Sequence, residues 1–310
     1  MSWIASKAQS GRPQGGRPPA AVELAPEGVM AAALPGKGQP AVYAFAPLAG
    51  GVLVPGIGEP NLRAPERVAE AIGAALGHVS PRSRAVTLVL PDTAVRVFVL
   101  DFDSLPVKAA EAVPVLRFRL RKMIPFDAEH AGLSYQVLSQ TKTECRVLAA
   151  VLPGPVLAEY EAVVRQAGYE PGAVLSSSLA GLAAFDKMEA VLAAHLTDQD
   201  LTTSITNGQD LLLYRTLDLP EDPGQRLEEV QRDIAVAAAF YEDKLGSRPH
   251  VLHFSGASAS GGNPAEEFAR SLNDLEMSVA ELAPRPETGA TTAWGSLSVA
   301  GVTGALAGAV

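Results

Sequence analysis

The chain has 310 residues, 47% hydrophobic and 19% charged, which is enough for two packed lobes and too apolar for a disordered polymer. Its net charge of -9 leaves no electrostatic footprint for nucleic acid, and gives no support to membrane-surface attraction through a polybasic patch either. A single cysteine, Cys145, excludes an intrachain disulfide and any cysteine-built zinc or iron–sulfur site.

The first residues, MSWIA, turn polar before any apolar core of a secretory signal can form, so a cytoplasmic chain is expected. Residues 7–19 (KAQSGRPQGGRPP) cannot bury enough apolar surface to order themselves, and residues 1–19 are read as a flexible leader. Two strands, AAVEL and GVMAAAL, then flank the turn Pro26-Glu27-Gly28, where glycine offers positive φ, and a third strand follows at 41–45. Pro65 suits a first helical position, with Val68, Ile72, Ala75 and Leu76 at helical spacing until Gly77. The continuous apolar run AVTLVL at 85–90 predicts a strand covered on both faces. A strand at 94–102 leads to a helix through Arg117 and Lys122, which must stop before Ile124-Pro125. Alternating runs at 133–138 and 144–151 predict paired strands.

The second half begins with a helix over 154–166 ended by Gly168, a strand at 172–175 and a helix over 178–194. Asn207-Gly208 between 202–206 and 209–217 predicts a hairpin with a type I′ turn. A long helix follows the turn-rich 220–224 and runs to about Lys244, with Leu227, Val230, Ile234, Ala238 and Tyr241 on one face. A strand at 251–255, a Gly-rich loop at 256–263, a helix from Pro264, a strand at 276–282 and a last helix at 294–307 complete the chain. The apolar end, 297–310, falls short of the roughly 20 residues of a membrane span, so a buried helix and no direct span are expected. The alternation of elements argues for an α/β protein of two lobes.

Three groups of segments, taken in order, resemble the PilM family of type IV pilus assembly proteins, and through it the actin-like ATPases that include the cell-division protein FtsA. The first is AVELAPEGVMAAAL at 21–34, similar to an opening hairpin that carries a phosphate loop. The second, within 85–151, comprises LPDTAVRVFVLDFDSLP and RFRLRKMIPFDAEHAGLSYQVL, which resemble the inserted subdomain of PilM and FtsA. The third is the series AGYEPGAVLSSSLAGLAAF, TTSITNGQDLLLYRTLDLP, EEVQRDIAVAAAFYEDKLG and HVLHFSGAS. The resemblance implies a two-lobed actin-like (ribonuclease H-like) fold, with a first lobe over 20–177 and an inserted subdomain at about 92–151. It also implies a reduced second lobe over 178–290, and a C-terminal helix within 291–310 that returns to the first lobe.

Departures from that family's pattern bear on chemistry. Glu23 stands at the phosphate-loop Asp, Ala25 at the Gly, Pro26 removes a backbone donor and Met30 replaces a Lys, each change weakening a phosphate grip. In HLTDQD at 195–200 only Asp198 supplies a displaced carboxylate, and the chain passes from Leu219-Pro220 almost directly into the long helix, without the subdomain that lids the site. The resemblance therefore implies a vestigial nucleotide site of Glu23, Asp198, Ser255 and Gly256, no catalytic residue and no cofactor. The alternative is an ATPase that keeps ATP and Mg through Glu23 and Asp198. In PilM-like proteins a cytoplasmic peptide of the membrane protein PilN docks between the first lobe and the inserted subdomain. That points to Arg117, Arg121, Ile124 and Phe126 as partner-binding residues, against the plainer reading of the basic run as a solvated helix face. A scaffold of a type IV pilus or type II secretion inner-membrane complex, coupled to its motor ATPases, is the expected role; a filament former is a further alternative by fold analogy.

Other candidates are weaker in chemistry. GASASGG at 256–262 lacks the Lys-Ser/Thr of a P-loop, His250 and His253 lie on opposite faces of a strand, and Ser176, Ser177 and Ser178 suit a helix N-cap better than a nucleophile elbow.

Overall fold

The computed structural model describes residues 16–36, 39–58, 60–185, 189–208, 210–257, 263–272, 277–283, 297–307 and 309. The expected leader up to residue 15, the Gly-rich loop at 258–262, the strand start at 276 and the last helix's start at 294–296 lie outside these residues.

The first lobe opens with the meander β1 (Ala20–Ala25), β2 (Gly28–Ala33) and β3 (Val42–Pro47), then α1 (Pro65–Val79) and β4 (Ala85–Leu90). An excursion follows as β5 (Arg96–Phe102), α2 (Ala109–Leu120), β6 (Gly132–Gln140) and β7 (Cys145–Leu152), before α3 (Gly154–Gln166) and β8 (Glu170–Ser176) return to the lobe. The main sheet has the order β3-β2-β1-β4-β8, and the excursion forms its own sheet, β5-β7-β6. This excursion occupies the span for which the resemblance implies an inserted subdomain. Helices α1 and α3 cover one face of the main sheet through Val68, Ile72, Leu76, Val156, Tyr160 and Val163. Its other face is covered as well, and β4 is buried from Val86 to Leu90, Thr87 included, as expected of a strand covered on both faces.

The second lobe consists of α4 (Ser177–Leu182), β9 (Ala190–Leu196), β10 (Asp200–Asn207), β11 (Asp210–Asp218), α5 (Pro223–Leu245), β12 (Val251–Gly256), α6 (Pro264–Ser271), β13 (Ser278–Glu281) and α7 (Ala300–Leu306). Its sheet, β11-β10-β9-β12-β13, repeats the first lobe's order: an antiparallel meander whose first strand pairs in parallel with one later strand, which pairs in parallel with the next. The repeat is topological and spans about half the chain, so no short sequence period reveals it.

Several expectations are corrected. Residues 190–194 are not helical: AVLAA forms the centre of a sheet as β9, with Val191, Leu192, Ala193 and Ala194 all buried, and tertiary placement overrides the helix preference of alanine. Gly77 does not end α1, which continues to Val79 and stops where Ser80 takes a left-handed φ of 48° and donates its N–H to Leu76 O. Gly28 has no positive φ; glycine is required there because a Cβ would strike the Phe45 ring and sit 2.6 Å from Ala46 O. Asn207 pairs with Asp210 and so belongs to the strand ladder, which leaves Gly208 (φ 60°) rather than Asn207-Gly208 together in the turn. Ser176 makes no capping bond with its side chain.

The ordered chain also starts before residue 20. Arg17 is buried and donates to Gly304 O at 3.1 Å and Ala305 O at 3.5 Å, carbonyls in the last turn of α7, the first of which also accepts the Ala307 amide. Helix α7 in turn lies against β1, β2 and α4, through Val299, Ala300, Val302, Ala305 and Leu306.

Candidate functional site: an interlobe cleft

The two sheets bring the ends of equivalent strands face to face. From the first lobe come Glu23 to Glu27 at the end of β1 and Pro91 and Thr93 after β4; from the second come His195 to Gln199 after β9 and Ser255 to Ala257 at the end of β12. With Ser177 and the start of α7 they enclose a cavity of about 240 Å³. Glu23, Asp198, Ser255 and Gly256, read from separate parts of the sequence, all line it. Gly256 has φ 156°, and a Cβ there would lie 2.6 Å from Leu196 O, so the strand end tolerates only glycine without a shift.

Beneath the cavity lies a polar floor. Ser177 donates its hydroxyl to Glu23, the Ser178 amide donates to Asp92 at 3.2 Å, and the Ser178 hydroxyl shares a hydrogen bond with Tyr214. His195 Nδ1 bonds Ser255 Oγ at 2.8 Å, while its Nε2 lies 3.8 Å from Asp92. Thr197 donates to Asp200 at 2.8 Å. Burial dominates the titration of these groups: it raises Glu23 to about 7 and Asp92 to about 6, and it lowers His195. Asp200 is raised to about 6 by burial, with the Asp92 charge adding to it. Near neutral pH the ring is therefore held uncharged, and its contact with Asp92 is no full ion pair.

Asp92, Ser177, Ser178, His195 and Tyr214 were not singled out as site residues from the sequence. Their signals were slight: a Pro-Asp at the end of an apolar strand and a serine triplet at the end of another, where side chains point over the sheet edge toward a cleft.

No protein-family model and no curated protein matches the chain. Among solved structures it is similar to the PilM–PilN type IV pilus biogenesis complex, at 18% identity and a TM-score of 0.71, over 93% of this chain and 97% of that one. It is also similar to a Bacteroides thetaiotaomicron VPI-5482 protein with actin-like ATPase fold and unknown function, at 10% identity and a TM-score of 0.50, over 84% and 88%. The chain has the actin-like ATPase fold.

In an actin-like cleft the hairpins after β1 and β9 are where phosphates would lie, and the residues present do not fit a triphosphate. The ionisable residues lining the cavity are Glu23, Glu27, Asp198 and His195, with no Lys or Arg among them. Glu27 is raised by burial and, in part, by the nearby Asp198 charge, so like charges face each other across the mouth. Pro26 offers no N–H, and the Glu23 carboxylate is packed so closely under α7 that a Cβ at Gly301 would fall 2.6 Å from its carboxyl carbon. The cavity is also smaller than the roughly 300–1,000 Å³ usual for ligand pockets.

Of the expected partner-binding residues, most are committed to the inserted subdomain itself. Arg117 donates to the carbonyls of Ala128 and Ala131, and Arg121 pairs with Glu129 at 2.8 Å. Ile124 is buried in that subdomain's core, and Phe126 packs against it with part of its surface still exposed. All four gather around the turn that follows α2, but only Phe126 keeps an accessible apolar face.

Proposed function

We propose that this protein is a cytoplasmic scaffold of a type IV pilus or related type II secretion assembly, and that it binds the cytoplasmic tail of a PilN-like inner-membrane protein. The carrying observation is the likeness to the PilM–PilN complex over 93% of this chain, inserted subdomain included. An extended tail lying between the first lobe and that subdomain needs apolar anchors and backbone hydrogen bonds but no chemistry. Phe126 is the anchor we assign to it. Contact with pilus motor ATPases belongs to the same proposal. Titration of the full chain with a synthetic cytoplasmic tail of a PilN-like protein is expected to saturate, and more weakly with Phe126→Ser. Absence of binding would overturn the reading.

We further infer that the cleft does not work as an ATPase site; the absence of a lining Lys or Arg among the described residues supports this. The rival reading, an ATP-binding enzyme of the same machinery, is favoured by one fact, that Glu23, Asp198, Ser255 and Gly256 do share one cavity. Calorimetry with ATP and Mg decides: no heat is expected, and a saturable signal lost in Asp198→Asn would establish the rival.

A further inference from the structure

The acidity of the whole chain hides one face with the opposite character. Of the seven large apolar residues exposed among the described residues, four lie between positions 107 and 123: Val107 at 94%, Phe118 at 66%, Met123 at 43% and Val115 at 37%. Helix α2 explains why they are outside. Ala109, Ala112, Leu116 and Leu120 turn toward the β5-β7-β6 sheet, and at 100° per residue Val115 and Phe118 fall on the opposite side.

The cations between them are arranged in the same way. Arg119 shares the exposed side of α2 with Val115 and Phe118, while Lys108 and Lys122 stand exposed just beyond its two ends, and Arg119 and Lys122 have no carboxylate partner among the described residues. The one acid on that side, Glu111, lies 3.9 Å from Lys108. Arg117 and Arg121 are held by carbonyls and by Glu129, so they add little outward charge; Asp127 and His130 pair with each other on the turn beyond.

We propose that this outward face of α2 docks on an anionic lipid bilayer. Charge selects the occupant. The segment from 107 to 123 holds five cations and one acid in a chain of net charge -9, so this face is attracted to a negative plane while the chain's net charge is repelled, and the molecule is oriented as it approaches. The face is a convex helix surface with apolar side chains set among long cationic ones, which suits burial at the headgroup level: Phe118 and Val115 enter, and the Lys and Arg stems reach the phosphates. An acidic protein partner would call for a recess with donors fixed around it, whereas Arg119 and Lys122 stand exposed on an open surface. The proposal does not depend on docking of a PilN-like tail.

The test is sedimentation of the full chain with large unilamellar vesicles of phosphatidylcholine, with and without 30% phosphatidylglycerol. Retention on the anionic vesicles is expected to exceed that on neutral ones by at least about tenfold and to fall in high salt. Lys122→Glu and, separately, Phe118→Ser should each abolish most of it with unchanged thermal midpoints. Lys244→Glu, the same charge change on α5, should leave it intact. Equal retention on both vesicles, none on either, or equal loss in Lys122→Glu and Lys244→Glu would overturn the proposal. If Phe118→Ser fails to fold, the two charge variants still decide it.

Discussion

Glu23 accepts the Ser177 hydroxyl across the floor of the cleft, which ties β1 to the first turn of α4 and buries a carboxyl group with a pKa near 7. A carboxyl raised in this way binds a proton in the folded state at pH values where the unfolded chain has lost it. Its contribution to stability is therefore full below its ordinary value of 4.5 and is lost as pH rises toward 7. Asp92 and Asp200, raised to about 6, act in the same direction; His195, lowered by burial, opposes them. Urea unfolding is expected to show the protein less stable at pH 8 than at pH 5.5. Glu23→Gln should remove on the order of 2–3 kcal/mol of that difference. An unchanged pH slope in the variant would contradict the assignment.

The same carboxylate restricts α7. A Cβ at Gly301 would overlap Glu23, so Gly301→Ala is expected to cost about 1–3 kcal/mol by overpacking. If that clash is the cause, the cost should shrink when alanine replaces Glu23 as well, a coupling that a double-mutant cycle in denaturant reads directly. Additive losses would show that Gly301 matters for another reason.

Arg17 closes the other end of α7. Removal of its guanidinium leaves the carbonyls of Gly304 and Ala305 without that donor, so Arg17→Ala should destabilise the chain by roughly 1.5–3 kcal/mol. Chemical denaturation measures this, and a variant as stable as the parent would mean that the contact is incidental.

How far the sequence carried the structure depends on distance along the chain. Meander strands, α1, α3 and α5 follow from local periodicity and punctuation, which is why Pro65, Gly168 and the turn at 220–224 mark boundaries close to the real ones. Strand β9 was misread because AVLAAHL has no local feature to distinguish a buried central strand from an alanine-rich helix; only its pairing with β10 and β12 decides. The floor was hidden for a related reason. Glu23 meets Ser177 across 154 residues and Ser178 meets Asp92 across 86, so neither pair has a spacing that a motif could capture. Arg117 misled in the opposite way: its charge suggested a partner, while the loop after α2 had carbonyls that needed it.

That last point separates two variants of the inserted subdomain. Arg117→Ala strips the carbonyls of Ala128 and Ala131 of a charged donor in a part-buried setting and is expected to cost about 1.5–3 kcal/mol. Arg121→Ala breaks only an exposed pair with Glu129, worth at most about 1 kcal/mol. If the two arginines instead formed a binding surface for a peptide, both would leave stability alone and weaken the peptide's affinity. Measuring unfolding and peptide titration side by side tells these apart. Loss of stability confined to Arg117→Ala is the expected result, and equal stability of both variants would return Arg117 to the docking surface.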